Sequence, residues 1–253
     1  MGGGAMVYVT GDMHGDLERL YDRQFRKLKA GDVLIVCGDF GYIFDGSKTE
    51  KQVIDYLSKR KFVTAFIEGT HDNLDTIARC RTTVWKGGLV HRIKGNLLHL
   101  MRGQIFNIEG KSFFTFGGGE SIDKDMRVEN GYWWRGEEPT PAEMADGAMR
   151  LDEAGCRIDY IITHEPPSLV KSAMLLRRGS TDRVNKLNGY FEEIGRSCSF
   201  EHWYFGSLHE DRVITERHTC VFKKAIPIKT DKSPKEKSHK HSEPEKEPAF
   251  NMT

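Results

Sequence analysis

Five apolar runs, each closing on a carboxylate or an imidazole, constrain this chain more than any other feature. Val7-Tyr8-Val9-Thr10 runs into Gly11-Asp12-Met13-His14-Gly15, and Val33-Leu34-Ile35-Val36-Cys37 into Gly38-Asp39. Phe62-Val63-Thr64-Ala65-Phe66-Ile67 leads to Glu68-Gly69-Thr70-His71-Asp72-Asn73. Tyr160-Ile161-Ile162-Thr163 leads to His164-Glu165-Pro166-Pro167, and Trp203-Tyr204-Phe205 to Gly206-Ser207-Leu208-His209-Glu210-Asp211. A run of branched and aromatic residues stopped by Gly or Pro reads as a buried strand entering a turn. In open α/β sheets, ligands collect beyond the carboxyl ends of strands. The five turns are therefore expected at one rim of an α/β fold. Taken singly, each is as readily a loop with a surface Asp or His; chance rarely produces five in series.

Asp12 and His14, one residue apart on an irregular turn, can point at one ion. Carboxylate oxygen with imidazole suits Mn, Fe or Zn better than Ca or Mg. The 253 residues fit one large α/β domain or two small ones. Lys and Arg number 38 against 37 Asp and Glu, so no basic excess points to nucleic acid as a partner. Five widely spaced cysteines without a C-x-x-C suggest reduced thiols in a cytoplasmic protein. No apolar run approaches the ~18 residues of a membrane span, and no signal-peptide pattern opens the chain. Residues 1–6 lack core character and read as an extension or expression scar. A domain over residues 7–226 follows. The Lys-, Glu-, Ser-, Pro- and His-rich residues 227–253 are expected to stay unstructured.

Between the turns, periodicity predicts amphipathic helices over residues 16–29, 49–60, 74–80 and 181–194. A Thr140-Pro141-Ala142-Glu143 start predicts another helix, running to about residue 154. Glycine-broken short runs over residues 84–116 predict a meander that begins a second sheet. Gly117-Gly118-Gly119 lacks the remainder of a phosphate-loop signature. It reads instead as a loop where backbone approaches the site. Residues 123–138, with Tyr132, Trp133 and Trp134, read as a long irregular segment whose aromatics either wall a pocket or pack the loop down.

In order and content, the five turns resemble the series D-x-H, G-D, G-N-H-[DE], H and G-H-x-H of the calcineurin-like metallophosphoesterases. The resemblance covers residues 7–221. It looks closest to a small bacterial and phage branch sharing Gly38-Asp39-Phe40-Gly41, His99-Leu100-Met101-Arg102-Gly103 and Trp203-Tyr204-Phe205-Gly206. It implies a four-layer α/β/β/α sandwich with two mixed sheets, and metal-dependent hydrolysis of a phosphate mono- or diester. The implied first metal takes Asp12, His14, Asp39 and His209. The second takes Asp39 as a bridge, His164, and the positions of Thr70 and Ser207. His71 matches the histidine that protonates the leaving oxygen, with Asp72 as its orienting neighbour. Arg102 and Arg212 are the candidates for facing phosphate, although Arg102 is as readily a solvent arginine and Arg212 a surface ion pair. His99 reads as a histidine near an apolar face.

Two departures fall on the second metal: Thr70 stands where the family has Asn, and Ser207 where it has His. Neutral hydroxyls are poor ligands for divalent cations. One tightly bound metal is therefore expected, Mn first with Fe or Zn as alternatives, and a second that is weak or absent. This leaves three readings: an esterase with a weakened second site, a binding protein without turnover, or an active parent deliberately inactivated. Ser/Thr protein phosphatases resemble G-D-x-V-D-R-G after the second strand; here residues 38–44 hold no Arg, which argues against that branch. The substrate or partner is expected to be a phosphorylated small molecule, a nucleotide or a phosphoprotein, with no membrane involved. The sequence does not set the oligomeric state.

Overall fold

Strands β1 (Val7–Thr10), β2 (Val33–Cys37) and β3 (Val63–Ile67) lie parallel and adjacent, and β2 is buried along its whole length. Unbroken apolar runs are what a parallel strand covered on both faces requires. The hairpin β4 (Arg81–Trp85) and β5 (Gly88–Lys94) continues antiparallel into β6 (Leu97–Leu100), which closes parallel against β3. A second sheet holds β7 (Gln104–Ile108), β8 (Lys111–Phe116), β9 (Arg157–Thr163), β10 (Ser199–Phe205), β11 (Arg212–Thr215) and β12 (His218–Cys220). Its order is β11-β12-β10-β9-β8-β7. Finally β13 (Ile226–Ile228) returns to the first sheet, antiparallel to β1. This architecture comes from a computed structural model that describes residues 5–179 and 183–230.

Period-2 alternation sends the two faces of each sheet into different cores. Val33, Ile35 and Cys37 meet Phe106, Phe113, Ile162 and Tyr204 between the sheets. On the outer face of the first sheet, Leu34, Val36 and Phe66 pack against α1 (Leu17–Leu20), α2 (Arg23–Arg26), α3 (Lys48–Ser58) and α4 (Leu74–Ala78). Three further helices cover the outer face of the second sheet through Phe116, Ile161, Trp203 and Phe205. They are α6 (Pro141–Glu153), α7 (Ser168–Arg178) and α8 (Lys186–Ser197), and α5 (Lys124–Glu129) precedes them. Three cores separate four layers, so the fold is the α/β/β/α sandwich with two mixed sheets. No helix among the described residues is long and apolar enough to cross a membrane.

Several expected elements shift. The single helix over residues 16–29 is two four-residue helices, because the Asp22 carboxylate accepts the Gln24 amide at 2.9 Å and starts a new turn. Only β7 and β8 of the meander enter the second sheet; β4 to β6 extend the first. The helix expected over residues 181–194 runs instead over Lys186–Ser197, and residues 181–182 lie outside the described residues. Helix α7, unexpected, begins right after Pro166-Pro167. Part of the 123–138 segment is ordered as α5 and a 3-10 turn at Arg135–Glu137. The Thr140 capping box forms as anticipated: its hydroxyl accepts the Glu143 amide, and the Glu143 carboxylate accepts the Thr140 amide. The boundary expected after residue 226 falls inside β13, where Ile228 is buried against β1, so the folded unit continues past it. Most of the expected tail, residues 231–253, lies outside the described residues.

Candidate metal centre

The carboxyl ends of β1, β2, β3, β9 and β10 meet at one rim, and the turns after them are laced together by backbone hydrogen bonds. The amides of Met13 and His14 both donate to the Asp39 carbonyl, at 2.9 and 2.8 Å. The amides of Gly206 and Ser207 both donate to the His164 carbonyl at 3.1 Å. The Asp72 carboxylate accepts the amides of Phe40, Gly41 and Gly69, at 3.2, 2.8 and 2.9 Å, and so ties the turn after β2 to the turn after β3. Space for the side chains comes from two glycines. A Cβ on Gly69 would sit 2.1 Å from Asp39 Oδ1, and one on Gly206 2.2 Å from Asp12 Oδ1.

Asp12, His14, Asp39 and His209 each offer a ligand atom, and these atoms lie within 4.8 Å of one another. His14 Nε2 stands 2.9 Å from His209 Nε2, 3.6 Å from Asp39 Oδ2 and 3.9 Å from Asp12 Oδ2. His14, Asp39 and His209 all hold positive φ, at 48°, 42° and 51°. Left-handed backbone at bulky residues is strained and collects at functional sites, where neighbouring structure holds it in place. Asp12 is buried, and neither carboxylate oxygen makes a hydrogen bond; His209 Nε2 lies 2.8 Å from Oδ2 but without hydrogen-bond alignment. An orphaned buried carboxylate facing converging imidazoles fits a divalent cation, and the two-oxygen, two-nitrogen donor set suits a borderline transition metal.

Protonation follows from the packing. Burial pushes His14 down to about 4, against the pull of Asp39 and with help from the neighbouring imidazoles, so its nitrogens stay neutral. Burial alone would raise Asp39, but the His164 charge and the hydrogen bond from His71 prevail and hold it well below the usual carboxylate range. Asp12 is raised, chiefly by burial. Burial also opposes charge on His164, yet Asp39 and Asp12 carry it up to about 9. The hydrogen bond to Asp39 raises His71 against the opposing effect of burial.

The second set of positions is different. His164 is buried, with Nε2 3.7 Å from Asp39 Oδ1 and Nδ1 3.7 Å from Asp12 Oδ1. The Thr70 hydroxyl lies 3.1 Å from His71 Nδ1, and the buried Ser207 hydroxyl has no hydrogen-bond partner. His71 Nδ1 is also 2.8 Å from Asp39 Oδ2.

Two expected roles change, and Arg212 shows the second of its two readings. Asp72 does not orient His71; its oxygens serve backbone amides, and the carboxylate that contacts the imidazole is that of Asp39. Arg102 does not face the cluster with a free guanidinium. It donates to Glu68, to Glu143 at 3.1 and 3.2 Å, and to the carbonyls of Gly136 and Glu137 at 2.6 and 3.2 Å. Arg212 lies on β11 with Nη1 3.8 Å from Glu210, the surface ion pair.

Sequence reasoning missed the buried supports behind the rim. Arg19 donates to the carbonyls of Gly11 and Asp12 and to the Thr10 hydroxyl. Arg127 donates to the carbonyls of Thr70 and Tyr132 and to Ser121, with Glu137 beside it. Neither arginine stands out in sequence, because each sits on a short polar helix. The glycine loop does approach the site: a Cβ on Gly119 would meet Thr70 Cγ2 at 2.9 Å. Phe44 forms an aromatic wall with Tyr132 and Trp134, its ring 5.5 and 5.1 Å from theirs.

No curated protein matches the chain. A family model for the calcineurin-like phosphoesterases matches residues 5–213. With that match over most of its length, and with Asp and His side chains gathered where the parallel strands of both sheets end, the chain belongs to the calcineurin-like phosphoesterase family.

Proposed function

We propose that this chain is a metal-dependent phosphoesterase of the cytoplasm that hydrolyses a phosphate mono- or diester. In this reading Asp12, His14, Asp39 and His209 hold one divalent metal tightly, Mn first and Fe or Zn as alternatives. The observation that carries it is the convergence of these four side chains, three on strained backbone, around a buried Asp12 carboxylate whose oxygens make no hydrogen bond. A bound cation would acidify a water and offset charge on the phosphoryl oxygens. The residues supply the remainder. Asp39 fixes the His71 ring through Nδ1 and favours its charged form, which leaves Nε2 to donate a proton to the departing oxygen. Thr70 and Ser207 leave Asp39 and His164 as the strong donors of a second site, so a second cation binds weakly or only with substrate. The substrates in view are phosphorylated small molecules, nucleotides and phosphoproteins.

The same two hydroxyls favour a second reading, a member that binds a phosphorylated ligand or protein partner without turnover. Elemental analysis with assays on p-nitrophenyl phosphate and bis(p-nitrophenyl) phosphate separates them. The phosphoesterase reading expects about one Mn per chain and release of p-nitrophenol. Stoichiometric metal with no turnover of either ester leaves the binding protein.

A further inference from the structure

Beside His14 and His71 opens a cleft of about 390 Å³. Its lining includes Leu17, Phe44 and Val53 together with Asp45, Ser47 and Glu50. The two histidines aside, the charged side chains that line it are both acids, and no Lys or Arg is among the lining residues. Glu50 is fixed there by accepting the amides of Phe44, Asp45 and Gly46 at 2.8 to 3.0 Å. Phe44 is braced by the Tyr132 and Trp134 rings. Leu17 stands 44% exposed although its helix has the rest of the core to pack against.

We propose that this cleft receives the leaving group, and that it selects phosphoesters of a compact, uncharged, partly apolar alcohol or phenol over polyphosphates and nucleic-acid backbones. The inference rests on the phosphoesterase reading and narrows its substrate class. A cleft of this size lies at the small end of ligand pockets, which run from about 300 to 1,000 Å³, and suits a compact group. Leu17, 44% exposed, and the half-buried Phe44 gain from having apolar surface covered. A second phosphoryl group placed there would face Asp45 and Glu50, with no Lys or Arg among the lining residues. His71, which lines the cleft, is the group that would protonate the leaving ester oxygen in the phosphoesterase reading.

Non-hydrolysable probes read binding whether or not the chain turns over. Calorimetry on the Mn-loaded full chain would compare methylphosphonate, benzylphosphonate and methylenediphosphonate at a fixed free Mn concentration. Benzylphosphonate should bind roughly tenfold tighter than methylphosphonate, the return for covering one ring. Phe44→Ala, and separately Leu17→Ala at a half-exposed position, should each remove most of that advantage. Methylenediphosphonate should bind no tighter than methylphosphonate until Asp45→Lys shifts that ratio in its favour. If methylphosphonate binds and the benzyl group adds nothing, or its advantage survives both substitutions, the cleft assignment is overturned and the phosphoesterase reading stands. Methylenediphosphonate outcompeting benzylphosphonate in the unaltered chain overturns it equally. If the Mn-loaded protein binds no phosphonate, the phosphoesterase reading falls and takes the cleft assignment with it.

Discussion

Asp39 holds His71 twice: the His71 amide donates to Oδ1 at 2.8 Å, and His71 Nδ1 lies 2.8 Å from Oδ2. One carboxylate thus fixes both the backbone and the ring of the residue after Thr70, while its Oδ2 also stands 3.6 Å from His14. The turn after β2 therefore sets the geometry of the turn after β3.

Asp39→Asn should abolish Mn binding and return the metal-free His71 towards its ordinary pKa of 6.5, because the carboxylate that raises it is gone. NMR titration of the imidazole reads the second effect without metal. Calorimetry showing Mn affinity unchanged would remove Asp39 from the centre.

Thr70→Asn with Ser207→His adds a carbonyl oxygen and an imidazole to Asp39 and His164. Bound metal should rise from about one towards two per chain, and each single change should recover less than the pair, since ligands of one ion act together. Equal turnover before and after would mean that the second site was never deficient.

Asp72→Ala leaves the buried amides of Phe40 and Gly69, and that of Gly41, without their acceptor. Hydrogen bonds to a charged group are worth about 1.5–3 kcal/mol, so stability should drop by at least that much. Mn affinity should fall with it, as the Asp39 turn loosens. A variant of unaltered melting temperature would show that Asp72 is not the tie between the two turns.

Glu68 is fully buried against Arg102 and His99, with His99 Nε2 at 2.6 Å. Burial raises its pKa, but Arg102 and His99 prevail and bring it to about 2, below the ordinary 4.5. A depressed acid stabilises the fold fully above its unfolded pKa, and the contribution is lost as pH falls from about 4.5 towards about 2. Glu68→Gln should cost roughly 3–5 kcal/mol at neutral pH, the price of unpairing a buried ion pair. The gap to the unaltered protein should narrow as urea melts are taken below pH 4.5. A gap that stays constant with pH would mean that Glu68 is not ionised in the fold.

Deleting residues 231–253 should leave the melting temperature within about one degree, whereas deletion from residue 226 should lower it by several degrees. The second cut removes β13 and the buried Ile228. Equal effects of the two deletions would contradict a domain edge at that strand.

The sequence by itself determined the five strands that end at the site, their order of carboxylates and imidazoles, and the rim where these meet. Strands that are apolar on both faces can only be buried, and a turn that must follow such a strand brings its polar residues to one edge. It also determined the capping box of α6, whose chemistry is local to four residues. Tertiary structure alone decided which neighbour each side chain serves. Asp72 looked like a partner for His71 because the two are adjacent in sequence, yet its oxygens turn towards amides 31 and 32 residues away. Arg102 looked free to meet phosphate until Glu68 and Glu143, 34 and 41 residues distant, claimed its guanidinium. The break at Asp22 and the strand at Ile226–Ile228 escaped detection for a related reason. A side-chain cap can outweigh a helical pattern, and a three-residue strand has too little periodicity to read until β1 offers it an edge.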